Sequence, residues 1–437
     1  MMRNNTLSTI MKIIAIGTIL LTNILHLCAN DNIINNKPQF PTLSFQEYLN
    51  QVGKNNLGYI AEKYNIQIAD AEVMSQRVFP DPELSVEAFK NGKTKDELGH
   101  GFSFELSYML ELGNKRGARI NLAKSQADLE RLMVDNFFQE LRAEAADAFL
   151  DAMMQKELLS VKKSSYEYMR QFSISDSIRF SLGEINETEA RQSKLESITL
   201  LNEVYNQEAV YKSSLVTLCQ FMGKSINELD MPVGEWGLFR REYTLTDLVN
   251  QALLNRVDLL ASLKNSEVAT NQLKLTRAER KLDLGLSVGY EVNAEAKNEI
   301  APTPAFNAVK AGISIPLKFS NTNKGAVKSA EYAIQKTKAE YRNVELQIQK
   351  EVAQAFFGYE SMQKQVKQYN DGLLSDSQKL LSAMEYKYKR GETSILEVLV
   401  AQRTYNEIQE QYLEVIKGYG SALIELQKTC GIWDIEL

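Results

Sequence analysis

Four stretches of the chain alternate strictly between apolar and polar residues. In Glu83 to Phe89, Leu84, Val86 and Ala88 fall on one side of an extended backbone, and Glu83, Ser85 and Glu87 on the other. In Gly101 to Leu110, Phe102, Phe104, Leu106, Tyr108 and Leu110 oppose Ser103, Glu105 and Ser107. The pattern returns at Leu282, Leu284, Leu286, Val288, Tyr290 and Val292, against Asp283, Gly285, Ser287, Gly289 and Glu291. It returns once more at Val309, Ala311, Ile313, Ile315, Leu317 and Phe319, against Lys310, Gly312, Ser314 and Lys318. Period-two alternation over about 10 residues is what a strand crossing a bilayer in a barrel needs, apolar to lipid and polar to a lumen. For one such strand, a sheet with one solvated face is the simpler reading; four long ones in two pairs favour the barrel. Pro316, inside the fourth run, predicts an edge or a bulge there, because its nitrogen has no proton to give to a ladder.

Four strands cannot close a barrel, and an open edge in lipid leaves backbone groups without partners. Several chains must therefore pool strands. Four strands from each of three chains make twelve, enough to enclose a water-filled passage, whereas eight from two chains would be filled by side chains.

Helical signals dominate the rest. None of the 8 prolines falls between Pro82 and Pro232 or after Pro316, and these stretches are rich in Glu, Lys, Gln, Ala and Leu. They predict nearly continuous helices from Asn114 to about Ser181 and from Lys324 to about Arg390. Roughly 65 residues at about 1.5 Å each span about 100 Å, longer than a globular domain requires. On the second helix the small and apolar positions Ala326, Ala330, Ile334, Thr337, Tyr341, Val344, Ile348, Val352, Ala355 and Tyr359 advance 11 residues per three turns. That period keeps a stripe straight or slightly right-handed, as in the staves of a hollow cylinder rather than a heptad rod.

The chain also repeats itself once. Moved along itself by 202 places, Leu43, Leu57, Leu84, Ser85 and Val86 fall on Leu245, Leu259, Leu286, Ser287 and Val288. Farther on the offset is 207 or 208, which places an insertion in between: Gly117-Ala118 falls on Gly325-Ala326, Ala148-Phe149 on Ala355-Phe356, Gly183-Glu184 on Gly391-Glu392, and Gly223 on Gly431. Each half carries a helix, two strands, a very long helix, a Gly-marked turn and a final helix. The expected organisation is residues 1–29 as a leader, a first repeat over 30–223, a connection over 224–242 with Pro232 and Gly234, and a second repeat over 243–431.

Composition narrows the function classes. Lys+Arg 50 against Asp+Glu 56 gives a net charge of -6, so nothing favours nucleic acid as a partner. The one apolar run, Ile13 to Leu27, follows Arg3 and Lys12 and reads as a secretory signal peptide cleaved after Ala29; a polytopic helical membrane protein is excluded. Cys28 is the alternative lipidation site, although Leu27 before it is not the small residue such a site wants. Cys219 and Cys430 read as free thiols on helices, and His26 and His100 cannot build a metal site. No phosphate-binding Gly loop, metal-ligand spacing or nucleophile with a partner His is present, so neither a cofactor nor catalysis is expected.

Taken together, the leader, the duplication, the amphipathic strand pairs and the long helical hairpins resemble the TolC-like outer membrane efflux proteins over residues 43 to 431. Leu110-Glu111-Leu112-Gly113-Asn114-Lys115-Arg116-Gly117-Ala118-Arg119 resembles the segment after the second strand in the cobalt-zinc-cadmium (CzcC-like) branch, with Asn114 where that branch usually has a second Gly. The resemblance implies a mainly α fold with a membrane β-barrel: a homotrimer, four strands per chain in a shared 12-stranded barrel, continued by a periplasmic α-helical barrel. It implies a passive exit duct in the outer membrane of a Gram-negative bacterium, touching outer membrane lipid and extending into the periplasm. A periplasmic adaptor and an inner-membrane pump of the RND type dock beneath it, and heavy-metal cations are the cargo of that branch.

By the same resemblance the periplasmic end lies at the two turns Arg179 to Gly183 and Lys387 to Gly391, with Gly183, Glu184 and Gly391 at the adaptor-docking tips. The mouth candidates are Glu187, Glu189, Glu392 and Glu397, with Tyr388 and Arg390 as residues able to hold a closed state across helices. Glu397 falls on a position where the family narrows the pore with an acid, while Val400 occupies another, so a double acidic ring is not expected. Three copies of Glu397 around an opening would favour cations; an acid in a first helical turn also simply offsets the helix dipole. A type I secretion duct, a periplasmic adaptor and a coiled-coil scaffold are the competing readings.

Overall fold

The computed structural model describes residues 41–92, 98–234, 236, 242–317 and 323–435. The leader, His26 and Cys28 lie outside the described residues, as do Lys318 and Phe319 at the end of the fourth alternating run.

The first repeat opens with a short strand, β1 (Thr42–Ser44), and a broken helix, α1 (Phe45–Asn55) and α2 (Leu57–Ser75). Ser44 caps α1 by accepting from the Glu47 amide, and Asn56 caps α2 by accepting from the Tyr59 amide. Strands β2 (Glu83–Lys90) and β3 (His100–Leu110) follow, then α3 (Lys115–Ser181) and α4 (Glu187–Phe221). After β4 (Met231–Val233) the second repeat supplies α5 (Leu245–Asn255), α6 (Val257–Ala278), β5 (Leu284–Asn293) and β6 (Phe306–Ser314). It ends with α7 (Lys324–Gln368), a π turn (Tyr369–Leu373), α8 (Leu374–Lys389) and α9 (Ile395–Cys430).

The two halves carry the same order of elements, with one change from the expected offset. Caps Ser44 and Thr244 correspond, as do the buried pairs Tyr48 and Leu248, and Val52 and Ala252, so the first helices are related by 200 places rather than 202. Burial sets this register: the helix face that packs must fall on the same positions in both halves. Each very long helix starts after an asparagine in the left-handed region, Asn114 (φ 61) and Asn323 (φ 55).

The four long strands form one antiparallel sheet in the order β2-β3-β5-β6. Its pairing lays Leu84, Leu106, Val288 and Ala311 in one cross-strand row and Val86, Phe104, Tyr290 and Val309 in the next. The opposite face carries Ser85, Glu105, Gly289 and Lys310, then Glu87, Ser103, Glu291 and Ala308. Apolar residues on the first face stand open, Leu84 at 66% and Val309 at 77% exposure. Among the described residues the outer edges of β2 and β6 have no strand beside them. Pro316 does not lie within the fourth strand: β6 ends at Ser314, the last residue paired with β5, and the proline follows.

An ion pair fastens the sheet to the helices. Lys115 Nζ, at the start of α3, meets Asp283 Oδ2 at 2.5 Å just before β5, and the Leu112 amide donates to the other oxygen at 3.2 Å. The 67 residues of α3 run unbroken, about 100 Å at the helical rise. Its counterpart does not. The stretch expected to be one helix from Lys324 to Arg390 breaks at Gly372, whose φ of 137° is non-helical. Among the described residues no helix is long and apolar enough to cross a membrane.

Packing concentrates midway along the hairpins, where β1 and β4 pair in parallel. There Phe45, Tyr48, Phe149, Leu218 and Met222 are buried together, and Ile424 and Ile435 from the far end of the chain join them. Leu248, Ile348, Val352, Tyr359 and Leu423 form the second repeat's cluster, and a third, near the tips, gathers Met169, Leu200, Tyr388, Ile395, Val398 and Leu399.

Candidate functional site: the helical tips

Both tips are built alike because both need a backbone reversal that closes one helix and opens the next. At the first, Gly183 (φ 79) lets the Glu184 amide reach back to the Arg179 carbonyl at 2.9 Å; at the second, Gly391 (φ 73) lets the Glu392 amide reach Lys387 at 2.9 Å. These are Schellman closures, which only a residue at ease in the left-handed region makes cheaply. The helix that follows is capped at the first tip by a reciprocal box between Asn186 and Glu189. At the second, Ser394 makes no such side-chain bond.

The acidic candidates are spread over the tip surface. Glu184 pairs with Arg179 at 3.3 Å, Glu187 with Arg191 at 2.5 Å, and Glu392 with Arg390 at 2.9 Å. Glu397 is exposed and accepts from Thr393 Oγ1 at 2.5 Å, within its own first turn. Arg390 binds locally, its Nη1 donating to Tyr386 Oη at 2.9 Å, and makes no bond across helices. Glu184, Glu187 and Glu392 each pair with an arginine near in sequence, whereas Glu397 meets only a neutral hydroxyl, and all four are exposed.

Tyr388 is different. It is 4% exposed, and its hydroxyl donates to Asp176 Oδ1 on α3 at 3.1 Å, joining α8 to the first hairpin. Its ring stacks on Phe172 at 5.4 Å, and the Arg179 guanidinium lies 4.9 Å from the ring centre. Asp176 is 1% exposed, has Arg179 Nη1 at 3.9 Å, and its Oδ2 has no hydrogen-bond partner. Burial pushes the Asp176 carboxyl above the usual carboxylate range, against the opposing pull of Ser193, Tyr388 and Arg179. Burial first, then the nearby Asp176, likewise pushes the Tyr388 phenol up.

Tyr388 is thus the one mouth candidate that the structure ties across helices, and its partners Asp176 and Phe172 were not among the residues singled out in the sequence. A signal existed: Met169, Ser173 and Asp176 are spaced i, i+4, i+7 on the buried stripe of α3. Farther up the same seam, Arg403 pairs with Glu196 at 2.6 Å and Ser165 donates to Asn406 at 2.8 Å. Among the described residues no group of His, Cys, Asp and Glu is arranged to hold a metal ion, and Cys219 and Cys430 are buried free thiols.

An antiparallel four-stranded sheet with an apolar outer face, set on long helical hairpins in two repeats, is the fold of the TolC-like outer membrane channels. Residues 248–431 match the family described as outer membrane efflux protein. The chain is similar to the cobalt-zinc-cadmium resistance protein CzcC of Cupriavidus metallidurans, 21% identical over 402 residues that cover 90% of this chain and 92% of that one. It is 21% identical over 407 residues to the pyoverdine export outer membrane protein OpmQ of Pseudomonas putida, covering 88% and 85%. Among solved structures, the Campylobacter jejuni CmeC outer membrane channel superposes with a TM-score of 0.73 at 13% identity, over 88% of this chain and 85% of that one. Those relatives are outer membrane channels, and the family matched over residues 248–431 works with an adaptor and an inner-membrane pump.

Proposed function

We propose that three copies of this chain join edge to edge, β6 of one beside β2 of the next, to close a barrel of three times four strands. The sheet carries this reading: it has two unpaired edges and a continuous apolar outer face, and a bilayer tolerates the second only when the first are closed. The polar rows headed by Ser85 and Glu87 then line a water-filled lumen, and the hairpins continue it as a helical duct. The duct is passive. An adaptor docks on the tips at Gly183, Glu184 and Gly391 and supplies the work that parts the seam at Tyr388, while Glu187, Glu189, Glu392, Glu397 and Arg390 surround the mouth.

Heavy-metal cations are the cargo this reading favours, supported by the similarity to CzcC along nearly all of both chains, with an RND-type pump supplying the energy. Purified in detergent, the protein should run as a trimer and conduct in planar bilayers, and Glu397→Ala should shift the reversal potential toward lower cation preference. A detergent-free soluble monomer would end the barrel reading, and an unchanged reversal potential would remove Glu397 from the mouth. Deleting the gene should raise cellular cobalt, zinc or cadmium; unaltered metal content would assign the duct another cargo.

A further inference from the structure

Strands β2, β3, β5 and β6 stand side by side, and beneath them α2, α3, α6 and α7 pack in the same order, each on the next. Copies joined edge to edge as proposed meet at the two ends of this row. Its middle, where β3 leads into α3 and α6 leads into β5, is formed by one chain alone. The two sides of that middle differ. Asp283 continues the polar face of β5 and takes Lys115 Nζ, and Arg119 beside it binds Glu111, so these charges mark the lumen side. At about 100° per residue, Asn114 and Asn121 lie about 130° around α3 from Lys115 and Arg119. Ala118 and Leu122, which pack on Leu275 and Ala278 of α6, fall between the two sets and seal one side from the other.

On the outer side a cleft of about 340 Å³ opens between α3 and α6. Its floor is Ala118 and Ala278, its cations are Lys274, Arg277 and Lys281, and Asn114, Asn121 and Asn271 supply amides. No carboxylate lines it. Lys274 Nζ donates to Asn271 Oδ1 at 3.1 Å rather than to an acid, and Asn271 Nδ2 donates to the Asn121 carbonyl at 3.4 Å, which fixes the amide between the helices. Arg277 reaches Glu331 on α7 at 2.8 Å. Lys281 has no acidic partner among the described residues, and its stem lies against Gly113, closer than a Cβ there would allow. Directly above the cleft the apolar face of the sheet begins, with Leu110 paired to Leu284 and Tyr108 to Leu286.

A cationic cleft at the foot of a lipid-facing apolar surface matches a molecule with a phosphate at one end and acyl chains at the other. We propose that this cleft holds the headgroup phosphate of an anionic glycerophospholipid of the periplasmic leaflet. Lys274 and Lys281 meet the phosphodiester oxygens, and the acyl chains lie along Leu110, Leu284, Tyr108 and Leu286. The inference rests on the barrel reading for the level of the bilayer, and deepens it by naming the class of lipid. Charge decides the class: a zwitterionic headgroup brings an ammonium of its own, which three cations in one cleft repel, whereas an anionic one does not. Each copy carries its own site, away from the junctions between copies.

The test is native mass spectrometry of the detergent-solubilised full-length protein, with phosphatidylglycerol, phosphatidylcholine and inorganic phosphate as probes. The unaltered protein should bind phosphatidylglycerol at least about tenfold more tightly than phosphatidylcholine, and inorganic phosphate at matched concentration should not displace it. Lys274→Gln combined with Lys281→Gln should weaken phosphatidylglycerol binding by about tenfold or more, each cation near an anionic lipid being worth roughly a factor of five. Lys364→Gln combined with Lys379→Gln removes the same charge from surface ion pairs farther down the second hairpin and should stay within about twofold of the unaltered protein. Equal affinity for the two lipids overturns the proposal, as does a folded Lys274→Gln, Lys281→Gln protein that binds phosphatidylglycerol as before. Displacement by inorganic phosphate would make the cleft a site for free anions and overturn the lipid. If the cleft variant does not fold, the lipid preference of the unaltered protein decides alone. If the unaltered protein neither inserts into vesicles nor conducts, the barrel reading falls, while lipid preference in detergent still decides the cleft.

Discussion

Tyr388→Phe removes one oxygen atom from the seam between the two hairpins and leaves the ring stacked on Phe172. The bond lost runs from a neutral hydroxyl to a carboxylate, a class contributing about 1.5–3 kcal/mol. The upper part of that range applies, because Asp176 is 1% exposed and its second oxygen already lacks a partner, so water does not replace what the phenol supplied. About 3 kcal/mol corresponds to local opening of the tip on the order of 100-fold more often. Asp176→Asn acts oppositely at neutral pH: the amide still accepts from Tyr388, and no charge is buried.

The sign of the pH dependence follows. Burial raises the Asp176 carboxyl above its value in the opened, hydrated tip, so the shut seam binds the proton more tightly. Its contribution to seam stability is fully present below the ordinary carboxylate range and is lost as pH rises through the raised value. Native-state hydrogen exchange of the amides in 384–389, corrected for intrinsic rates, reads this opening directly. The unaltered protein should protect these amides better in acid, and Asp176→Asn should flatten the dependence. In a double-mutant cycle the two substitutions should couple by about 1.5 kcal/mol or more. Additive effects, or an Asp176→Asn protein with the unaltered pH slope, would refute the argument.

Two further substitutions test the fold. Val288→Arg puts a charge on the apolar face at the middle of the sheet, at an expected cost of about 2–4 kcal/mol per chain, whereas Ser287→Arg, on the polar face opposite Gly312, should cost under about 1 kcal/mol; denaturant titration of the refolded protein in lipid vesicles separates them, and equal losses would reverse the facing of the sheet. Gly223→Ala forces a side chain into φ 64° with its Cβ 2.4 Å from the Asn55 carbonyl oxygen, an expected loss of about 2 kcal/mol or more in thermal unfolding, while Gly325→Ala, where a Cβ meets open space, should change little.

Much of this architecture was legible in the sequence because it follows from periods. Alternation at Glu83 to Phe89 and its three counterparts announces strands whatever they pair with, and the absence of proline between Pro82 and Pro232 announces α3. Features set by a partner were not legible. The break at Gly372 is easily passed over in the long helical run, although Asn370-Asp371-Gly372 is a turn signal that Gly358, between Phe357 and Tyr359, lacks. Asp176 shares a helical face with Met169, but as an acid it does not announce burial until α8 covers it. Pro316 was assigned to the strand because the apolar alternation continues through it, but a ladder ends where the donor is missing. The offset of 202 came from matching leucines; the fold aligns buried faces instead, and Tyr48 with Leu248 is a match of position, not of letter.

One detail of the central core governs the order in which this molecule can be completed. Leu43, Phe45, Tyr48 and Phe149 come from the first repeat, yet Ile424 and Ile435 close over them from the opposite end of the polypeptide, with Trp433 alongside. The half that is synthesised first therefore cannot finish its interior until the last residues arrive. Until residues 424–435 pack, the apolar surface of Leu43, Phe45, Tyr48 and Phe149 is left partly uncovered. The interior of the first half is thus closed by residues more than 200 places away in sequence.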